Sequence, residues 1–196
     1  MNMKILQCAI PGVFIIEPDA GGNRPADPWG LAELNLMCKP VQSSTSFSKK
    51  KGTIHGLHYQ AEPFGEKKMI RCMLGAVFNI IVDLRMGSEN YLKWISMELS
   101  DRSNKVLFVP EGLAHGFMTI RDNTEVFVEV SQFYRPQHAR GIRWDDPVFG
   151  FKWPMELRAI SDRDGSFPDF TPDDSWRQEN VFENMTSPED AAALTK

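Results

Sequence analysis

Histidine side chains stand in two stretches where the neighbouring residues would present them to a ligand. His55 and His58 lie within the apolar and aromatic run 53–60 (TIHGLHYQ), and His115 lies in the glycine-containing run 110–117 (PEGLAHGF). An imidazole can move a proton near neutral pH, hold a ligand through a hydrogen bond, or bind a metal ion. Burying it costs free energy unless its ring nitrogens find partners, so each histidine is either a satisfied core residue or a working one.

The spacing of these histidines bears on metal binding. Two ligands on one strand point to the same face when they are two residues apart. His55 and His58 are three apart, so strict alternation sends them to opposite faces, and only a β-bulge would bring both to one ion. This spacing argues against a bound metal ion, and we expect no cofactor. A metal-dependent enzyme using both histidines, His115 and a glutamate such as Glu62 or Glu66 is the alternative.

Composition and charge argue against several other classes of protein. The chain has 196 residues, 42% of them hydrophobic, a net charge of −4 and a pI near 5.6. Its basic run 49–51 is typical of a solvated loop, so we expect no nucleic-acid partner. The apolar start is interrupted by Gln7 and Pro11, which fits neither a secretory signal nor a membrane span and predicts a cytoplasmic protein. Three widely spaced cysteines are expected to be reduced thiols: Cys8, Cys38 and Cys72.

The elements that must position the histidines are predicted to be β-strands. From residue 42 onward, short apolar runs alternate with Gly, Pro, Asp and Asn, the pattern of an all-β sandwich, jelly roll or small barrel. Predicted strands cover 53–60, 67–74, 76–84, 93–99, 105–109, 115–120 and 124–134. Residues 4–17 predict a strand pair near a sheet edge, and 31–37 a brief helix.

We expect one domain, residues 1–196, with three parts. Its barrel core covers about 42–150, preceded by strands and a loop over 1–41. Residues 151–196 are predicted to wrap the barrel and end in a tail.

Much of the sequence resembles a known family. The stretch from His58 to Pro154 is similar to the nucleotide-sugar 3,5-epimerases of deoxysugar biosynthesis, above all to the dTDP-4-dehydrorhamnose 3,5-epimerase family. The matching segments are 56–60 (GLHYQ), 68–71 (KMIR), 75–78 (GAVF), 82–85 (VDLR), 110–117 (PEGLAHGF) and 141–147 (GIRWDDP). The resemblance implies an all-β, cupin-like double-stranded β-helix (jelly roll) with short peripheral helices, a homodimer, no metal, and a nucleotide-diphosphate 4-keto sugar as substrate.

The chemistry of such a substrate gives the matching residues roles. Protons on the carbons beside a ketone can be removed when a base is placed above them and the enolate oxygen is stabilised. By position in the family, His58 is the base, Asp164 orients it, and Lys68 meets the oxygen. Asp162 is an alternative to Asp164. Taken alone, Lys68 also fits a solvated strand lysine, and Asp164 a loop cap.

Further residues are predicted by the same resemblance to contact the substrate. They are Gln42, His55, Gln60, Arg71 and His115. His115 alone would also fit a turn histidine that only makes local hydrogen bonds.

Departures from the family fall on functional positions. His55 stands where the family usually has an arginine, and a mostly neutral imidazole is a weaker phosphate partner than a guanidinium. Val128 stands at the position of the tyrosine that returns a proton, and Glu129 where a lysine is frequent. Tyr134 lies an even number of residues further on, about 20 Å along an extended strand, which makes it a poor substitute unless the strand bends.

The N-terminal segment that reaches the nucleotide in the family is absent from 18–36, although Trp29 could stack on a base. These features predict an epimerase of a nucleotide-linked 4-keto-6-deoxy sugar that acts at a single carbon, 3 or 5. A sugar-nucleotide-binding paralogue that lacks activity is the alternative.

Overall fold

Two antiparallel β-sheets make up most of the computed structural model, which describes residues 4–17 and 39–172. In chain order the elements are β1 (Lys4–Gln7), β2 (Phe14–Glu17), β3 (Gln42–Ser48), β4 (Thr53–Gln60), β5 (Lys68–Leu74), β6 (Ala76–Asp83), β7 (Trp94–Ser100), β8 (Val106–Val109), β9 (Leu113–Thr119), β10 (Thr124–Val130), β11 (Ala139–Gly141), β12 (Ala159–Ile160) and α1 (Asp162–Gly165). Sheet A has the order β1-β2-β8-β5-β10-β3, and sheet B has the order β11-β4-β9-β6-β7, with β12 paired to β4.

The main core lies between the two sheets. Alternation along each strand sends every second side chain inward, so that Ile70 and Val126 of sheet A pack in one cluster with Ile81 and Phe117 of sheet B. Strands of both sheets carry apolar residues on both faces where a second layer covers them. The two sheets thereby enclose a jelly roll, which confirms the predicted all-β fold.

Further clusters cover the outer faces of the sheets. On sheet B, Ile80 and Val82 pack with Ile142 and Phe149. Phe151, Trp153 and Phe170 extend this layer. Residues of the stretch 142–170 thus pack on sheet B. The same stretch places α1 beside β4, where it contacts the strand that carries His55 and His58.

Most predicted strands are confirmed to within two residues. The pair in 4–17 forms the edge of sheet A. Strand β10 ends at Val130, four residues before its predicted end, because the chain turns there. The predicted helix over 31–37 and Trp29 lie outside the described residues. In the described part of the chain, no helix is long and apolar enough to cross a membrane.

Candidate active site

A cavity of about 280 Å³ opens between the two sheets near one end of the barrel. The described residues that line it include many of the predicted site residues and several others: Gln42, Ser43, Ser44, Ser46, His55, His58, Tyr59, Gln60, Glu66, Lys68, His115, Phe117, Val128, Val130, Tyr134, Ala139, Arg140 and Arg163. Lys68, Arg140 and Arg163 supply cationic groups, against one carboxylate from Glu66. This balance favours an anionic ligand.

An irregularity in β4 turns two histidines toward the same cavity. His55 pairs with Phe117 of β9 and His58 pairs with His115, and the register shifts between these two pairs. Because Phe117 and His115 are two residues apart on β9, their partners share a face. Gly56 lies inside the shift with φ of +98°, and a Cβ there would be 2.8 Å from the His115 carbonyl oxygen. Close packing and positive φ both favour glycine at this position.

His58 and Asp164 form a hydrogen-bonded pair at the cavity wall. Nε2 of the imidazole lies 2.7 Å from Oδ1 of the carboxylate, whose side chain is 6% exposed. The other oxygen, Oδ2, accepts the backbone N–H of Gly56 at 2.9 Å. Burial opposes ionisation of Asp164, but the hydrogen bonds from His58 and Gly56 outweigh it, so the pKa of Asp164 lies below its ordinary value. A charged carboxylate holds the proton on Nε2, which leaves Nδ1 as the basic nitrogen.

Helix α1 positions Asp164 locally. Ser161 is the N-cap, and its Oγ accepts the backbone N–H of Asp164 at 3.1 Å. Asp162, two residues earlier in the same helix, is exposed. Of the two candidate carboxylates in this segment, the structure therefore brings Asp164 to His58.

Lys68 lies beside the His58–Asp164 pair with its ammonium group buried. Nζ donates to the His58 carbonyl oxygen at 2.8 Å and lies 3.1 Å from Oε1 of Glu66. The residue is 6% exposed, and it also lines the cavity. The solvated-lysine interpretation does not fit this burial. A paired ammonium with a further N–H available can face a developing negative oxygen.

His115 is a neutral hydrogen-bond donor at the floor of the cavity. Its Nε2 lies 3.0 Å from Oδ1 of Asn79 on β6, whose own amide nitrogen donates to Met97. Burial, and then the charges of Lys68 and His58, lower the pKa of His115 well below its ordinary value. His55, on β4, makes different contacts.

His55 stacks on Phe117 with 4.9 Å between the ring centroids, and its Nε2 lies 2.9 Å from Ser48 Oγ. Burial lowers the pKa of His55, although Asp164 acts in the opposite direction. A neutral imidazole at this position can accept or donate one hydrogen bond but offers no fixed charge to a phosphate.

Three imidazoles therefore face the cavity without converging on one point. Each Nε2 is engaged by a different protein group: Ser48 for His55, Asp164 for His58 and Asn79 for His115. No set of three or more His, Cys, Asp or Glu side chains in residues 4–17 and 39–172 has an arrangement suited to a metal ion.

The remaining predicted contacts divide into two groups. Gln42 and Gln60 line the cavity, but Gln60 also ties loops together by donating to Phe64 and Phe133 and accepting from the backbone of Arg135. Arg71 lies elsewhere, on the outer side of β5, where Nη2 donates to Oδ1 of Asn104 at 3.0 Å. The structure does not bring Arg71 to the cavity of its own chain.

Comparison with known proteins identifies the family of this chain. The sequence profile described as dTDP-4-dehydrorhamnose 3,5-epimerase matches residues 7–172. The chain belongs to the dTDP-4-dehydrorhamnose 3,5-epimerase family. Members of this family are isomerases.

Individual relatives support the assignment. A dTDP-4-dehydrorhamnose 3,5-epimerase of Sinorhizobium fredii is 46% identical over 129 residues, which are 65% of this chain and 66% of that protein. One from Shigella flexneri is 33% identical and covers 83% of this chain and 93% of its own length. The crystal structure of the Bacillus anthracis enzyme with TDP and PPi bound is similar with a TM-score of 0.79 and 32% identity, and covers 86% of this chain and all (100%) of its own.

Several lining residues of this family member were missed by sequence reasoning. Arg140 and Arg163 lie in stretches with no apolar period, and only the fold brings them to the cavity. Tyr134 also lines it, because the chain turns after β10 and returns, so the distance along an extended strand does not apply. Val128 faces the cavity and packs against the core, with Ser44 directly opposite it on β3. A turn signal after Val130 would have indicated this return, but residues 131–134 (SQFY) contain no Gly, Pro, Asn or Asp.

Proposed function

We propose that the chain epimerises a 4-keto-6-deoxy sugar carried on a nucleoside diphosphate, with His58 as the base. The observation that carries this proposal is the His58–Asp164 hydrogen bond at the wall of a cavity that also holds Lys68 and His115. Nδ1 of His58 takes a proton from a carbon beside the ketone, the C–H electron pair becomes the enolate, and the negative charge develops on the ketone oxygen. Asp164 stabilises the imidazolium that results.

Lys68 supports the enolate in this proposal, and His115 completes its surroundings. Lys68 is a buried cation, His115 is a neutral imidazole whose N–H points to Asn79, and both line the cavity beside His58. Donors that are already fixed in place when charge develops lower the barrier without reorganisation. Since Asn79 engages Nε2 of His115, the imidazole contributes through its position and polarity rather than through a transferred proton.

The nucleotide half of the substrate is assigned to the exposed part of the lining. Arg140 and Arg163 line this region, and the Arg163 guanidinium lies 6.0 Å from the ring centroid of Tyr134. Guanidinium groups suit diphosphate oxygens, and an exposed phenol ring suits a base or sugar face. TDP and PPi, which are bound in the Bacillus anthracis structure, carry phosphate groups of this kind. In this assignment Arg140 and Arg163 contact the diphosphate, in place of His55, which would bind a phosphate only weakly.

Epimerisation at one carbon, 3 or 5, follows from the opposite wall. An epimerase must return a proton to the face opposite the base, and Val128 carries no exchangeable proton. Its neighbours on this wall are Ser44 and Ile70, the cross-strand partners in β3 and β5. We infer that solvent water beside Ser44 supplies the returned proton, and that the second carbon, which would need another placement of base and acid, is not inverted.

A homodimer is also part of the proposal. Phe47 and Leu74 flank Glu125 on neighbouring strands of sheet A, and they are 53% and 46% exposed. Strand β3 ends the sheet, and an exposed edge beside apolar side chains favours pairing with another chain. Sedimentation analysis should show a dimer at micromolar concentration that Phe47→Glu shifts toward monomer. Val148→Glu, at a 47% exposed position outside sheet A, is the control.

The experiment that tests the activity follows deuterium. The protein is incubated in deuterated water with dTDP-4-keto-6-deoxyglucose, and the protons on the two carbons beside the ketone are followed by NMR. We expect exchange at one carbon, and loss of that exchange in His58→Ala. Exchange at both carbons would overturn the single-carbon assignment. No exchange with this or related 4-keto sugar nucleotides would favour the binding paralogue.

Elemental analysis gives the metal-dependent alternative its own test. If a stoichiometric metal survives dialysis and a chelator abolishes exchange, the reaction is metal-dependent. Proton abstraction by His58 paired with Asp164 would then be the wrong mechanism. The prediction of a cytoplasmic location stays a prediction.

A further inference from the structure

One aromatic ring behind the His58–Asp164 pair has no role in the chemistry described so far. Phe167 meets the His58 imidazole with 6.0 Å between the ring centroids and 79° between the planes. Phe167 is not one of the described residues that line the cavity. The ring therefore meets the base without belonging to the cavity wall.

Gly141 leaves the space that this ring occupies. It pairs with His58 across β11 and β4, and a Cβ built on it would lie 2.1 Å from Cε2 and Cζ of Phe167. No real side chain tolerates such a distance. The backbone at Gly141 lies outside the positive-φ region, so conformation alone would permit alanine. With the ring in this position, glycine is favoured for room rather than for backbone freedom.

The segment that carries Phe167 is fastened on both sides of the ring. Arg143 donates from Nη1 to the Phe167 carbonyl oxygen at 3.3 Å and lies 2.6 Å from Asp169 through Nη2. Asp146, which is fully buried, accepts the backbone N–H of Phe170 at 2.6 Å. Three residues before the ring, α1 presents Asp164 to the same imidazole. The ring and the carboxylate are thus held by one short, anchored stretch.

We propose that Phe167 is a positioning residue for the base, which fixes the His58 ring plane against Asp164 and keeps water from the rear of the pair. The side-chain-free position at Gly141 is part of the same device. A carboxylate and an aromatic edge together hold the imidazole in one orientation. The ring is then already aligned for proton transfer when the substrate binds. The catalytic part of this inference rests on the proposed function, but the packing and shielding part does not.

Two substitutions of the same kind separate this role from general stability. Phe167→Leu removes the ring beside His58, whereas Phe170→Leu removes a ring of the same segment that packs on Phe149 at 5.2 Å. We expect kcat for deuterium exchange to fall about 10- to 100-fold in Phe167→Leu, with KM changed less than about twofold. Phe170→Leu should keep kcat within about twofold of the wild type, even if it lowers the unfolding midpoint as much as Phe167→Leu does.

A second readout needs no substrate. In protein labelled with 15N-histidine, the Nε2–H proton shared with Asp164 is assigned by its loss in His58→Ala, and its exchange with water is measured. Phe167→Leu should raise that exchange rate about tenfold or more, and Phe170→Leu should leave it unchanged. If no 4-keto sugar nucleotide is turned over, the proposed function fails while this measurement still decides the shielding role.

Gly141 provides the decisive double-mutant cycle. Gly141→Ala alone should lower kcat and speed the exchange of the Nε2–H proton, because the new methyl group displaces the Phe167 ring. Added to Phe167→Ala, the same change should have less than about a twofold further effect. Additive losses in the two variants, equal effects of Phe167→Leu and Phe170→Leu, or an unchanged Nε2–H exchange rate in Phe167→Leu would each overturn the inference.

Discussion

His58 and Asp164 are separated by 106 positions in the chain, yet their side chains are 2.7 Å apart. Local sequence chemistry gives no reason to pair them, and only the order of motifs in the family suggested it. The fold supplies the reason, because β12 pairs with β4 and thereby delivers α1 to the irregular part of that strand. The carboxylate then satisfies both the imidazole and the Gly56 N–H. One side chain thus serves the base and the strand distortion together.

Asp164→Asn is the first prediction at the residue scale. The amide retains an oxygen that can accept from Gly56, so we expect stability to change by less than about 1 kcal/mol. Its NH₂ group, however, can donate to Nε2 of His58 and so favours the tautomer with the proton on Nδ1, where it blocks the base. We expect kcat for exchange to fall about 10²- to 10⁴-fold with KM little changed.

Asp162→Asn is the matched control for that variant. It makes the same chemical change in the same helix, at an exposed side chain. We expect its kcat for exchange, measured under steady-state conditions, to stay within about twofold of the wild type, as is usual for surface substitutions. Equal losses in the two variants would mean that the carboxylates act through the helix rather than through His58.

The wall opposite His58 gives a second prediction at this scale. Val128→Tyr places a phenol where the chain now has an apolar side chain facing the cavity. A positioned acid is worth roughly 10²- to 10⁴-fold in the protonation step, so inversion at the second carbon beside the ketone, followed by NMR of the product, should rise at least about tenfold above the wild-type level. Val128→Phe carries the same ring without the hydroxyl and should show no such gain. A similar gain in both variants would point to packing rather than to proton transfer.

Strand β4 shows what a single irregularity accomplishes at the scale of an element. The spacing His55-x-x-His58 predicted opposite faces for a regular strand, and the register shift overturns that expectation by returning both rings to one face. Sequence reasoning identified the condition, a bulge, but lacked a residue pattern that required it. The evidence is structural: Gly56 has positive φ, and the backbone of β9 passes too close for a side chain.

Gly56→Ala tests this reading of the strand. A Cβ would lie 2.8 Å from the His115 carbonyl oxygen and 2.9 Å from the Cα of Gly116, and alanine disfavours the φ of +98°. We expect unfolding in urea to show a loss of about 2 kcal/mol or more, from strain and overpacking combined. Deuterium exchange should fall as well, because the shift aligns His58 with Asp164.

Gly87→Ala is the control for that substitution. A Cβ at Gly87 would meet nothing within 4 Å, and its φ lies outside the positive region. Its stability should stay within about 0.5 kcal/mol of the wild type. A Gly56→Ala variant as stable as this control would show that the register shift tolerates a side chain.

The elements that sequence reasoning missed share a cause. Strand β3 reads QSSTSFS, so its pattern lacks the apolar alternation by which a strand is recognised, and it is mostly exposed at the edge of sheet A. It forms because β10 offers a complete partner edge over seven residue pairs. Strands with a continuous apolar run, such as β6, were predicted to within one residue, since burial on both faces specifies them. Arg140, Arg163 and Phe167 became site residues only through such non-local placement.

At the scale of the whole molecule, two cavity histidines couple stability to pH. Burial lowers the pKa of both His55 and His115 in the folded chain, and Lys68 and His58 act on His115 in the same direction. In the unfolded chain an exposed histidine titrates near 6.5. As pH falls below that value, the unfolded state binds protons that the folded state refuses, so folding stability must decrease.

The size and window of this effect are testable by urea unfolding between pH 7.5 and 5. For His115, which is 6% exposed, the loss should approach about 1.4 kcal/mol per pH unit below the unfolded value, and His55 adds to it. Asp83 and Asp164 have lowered pKa values, so the stability that they contribute is lost only in more acid solution. His115→Gln keeps an N–H donor for Asn79 and cannot titrate, so its stability should fall less steeply across this window. An equal slope in the wild type and the variant would mean that His115 accepts a proton in the folded protein, and the neutral donor assigned to the cavity floor would then be wrong.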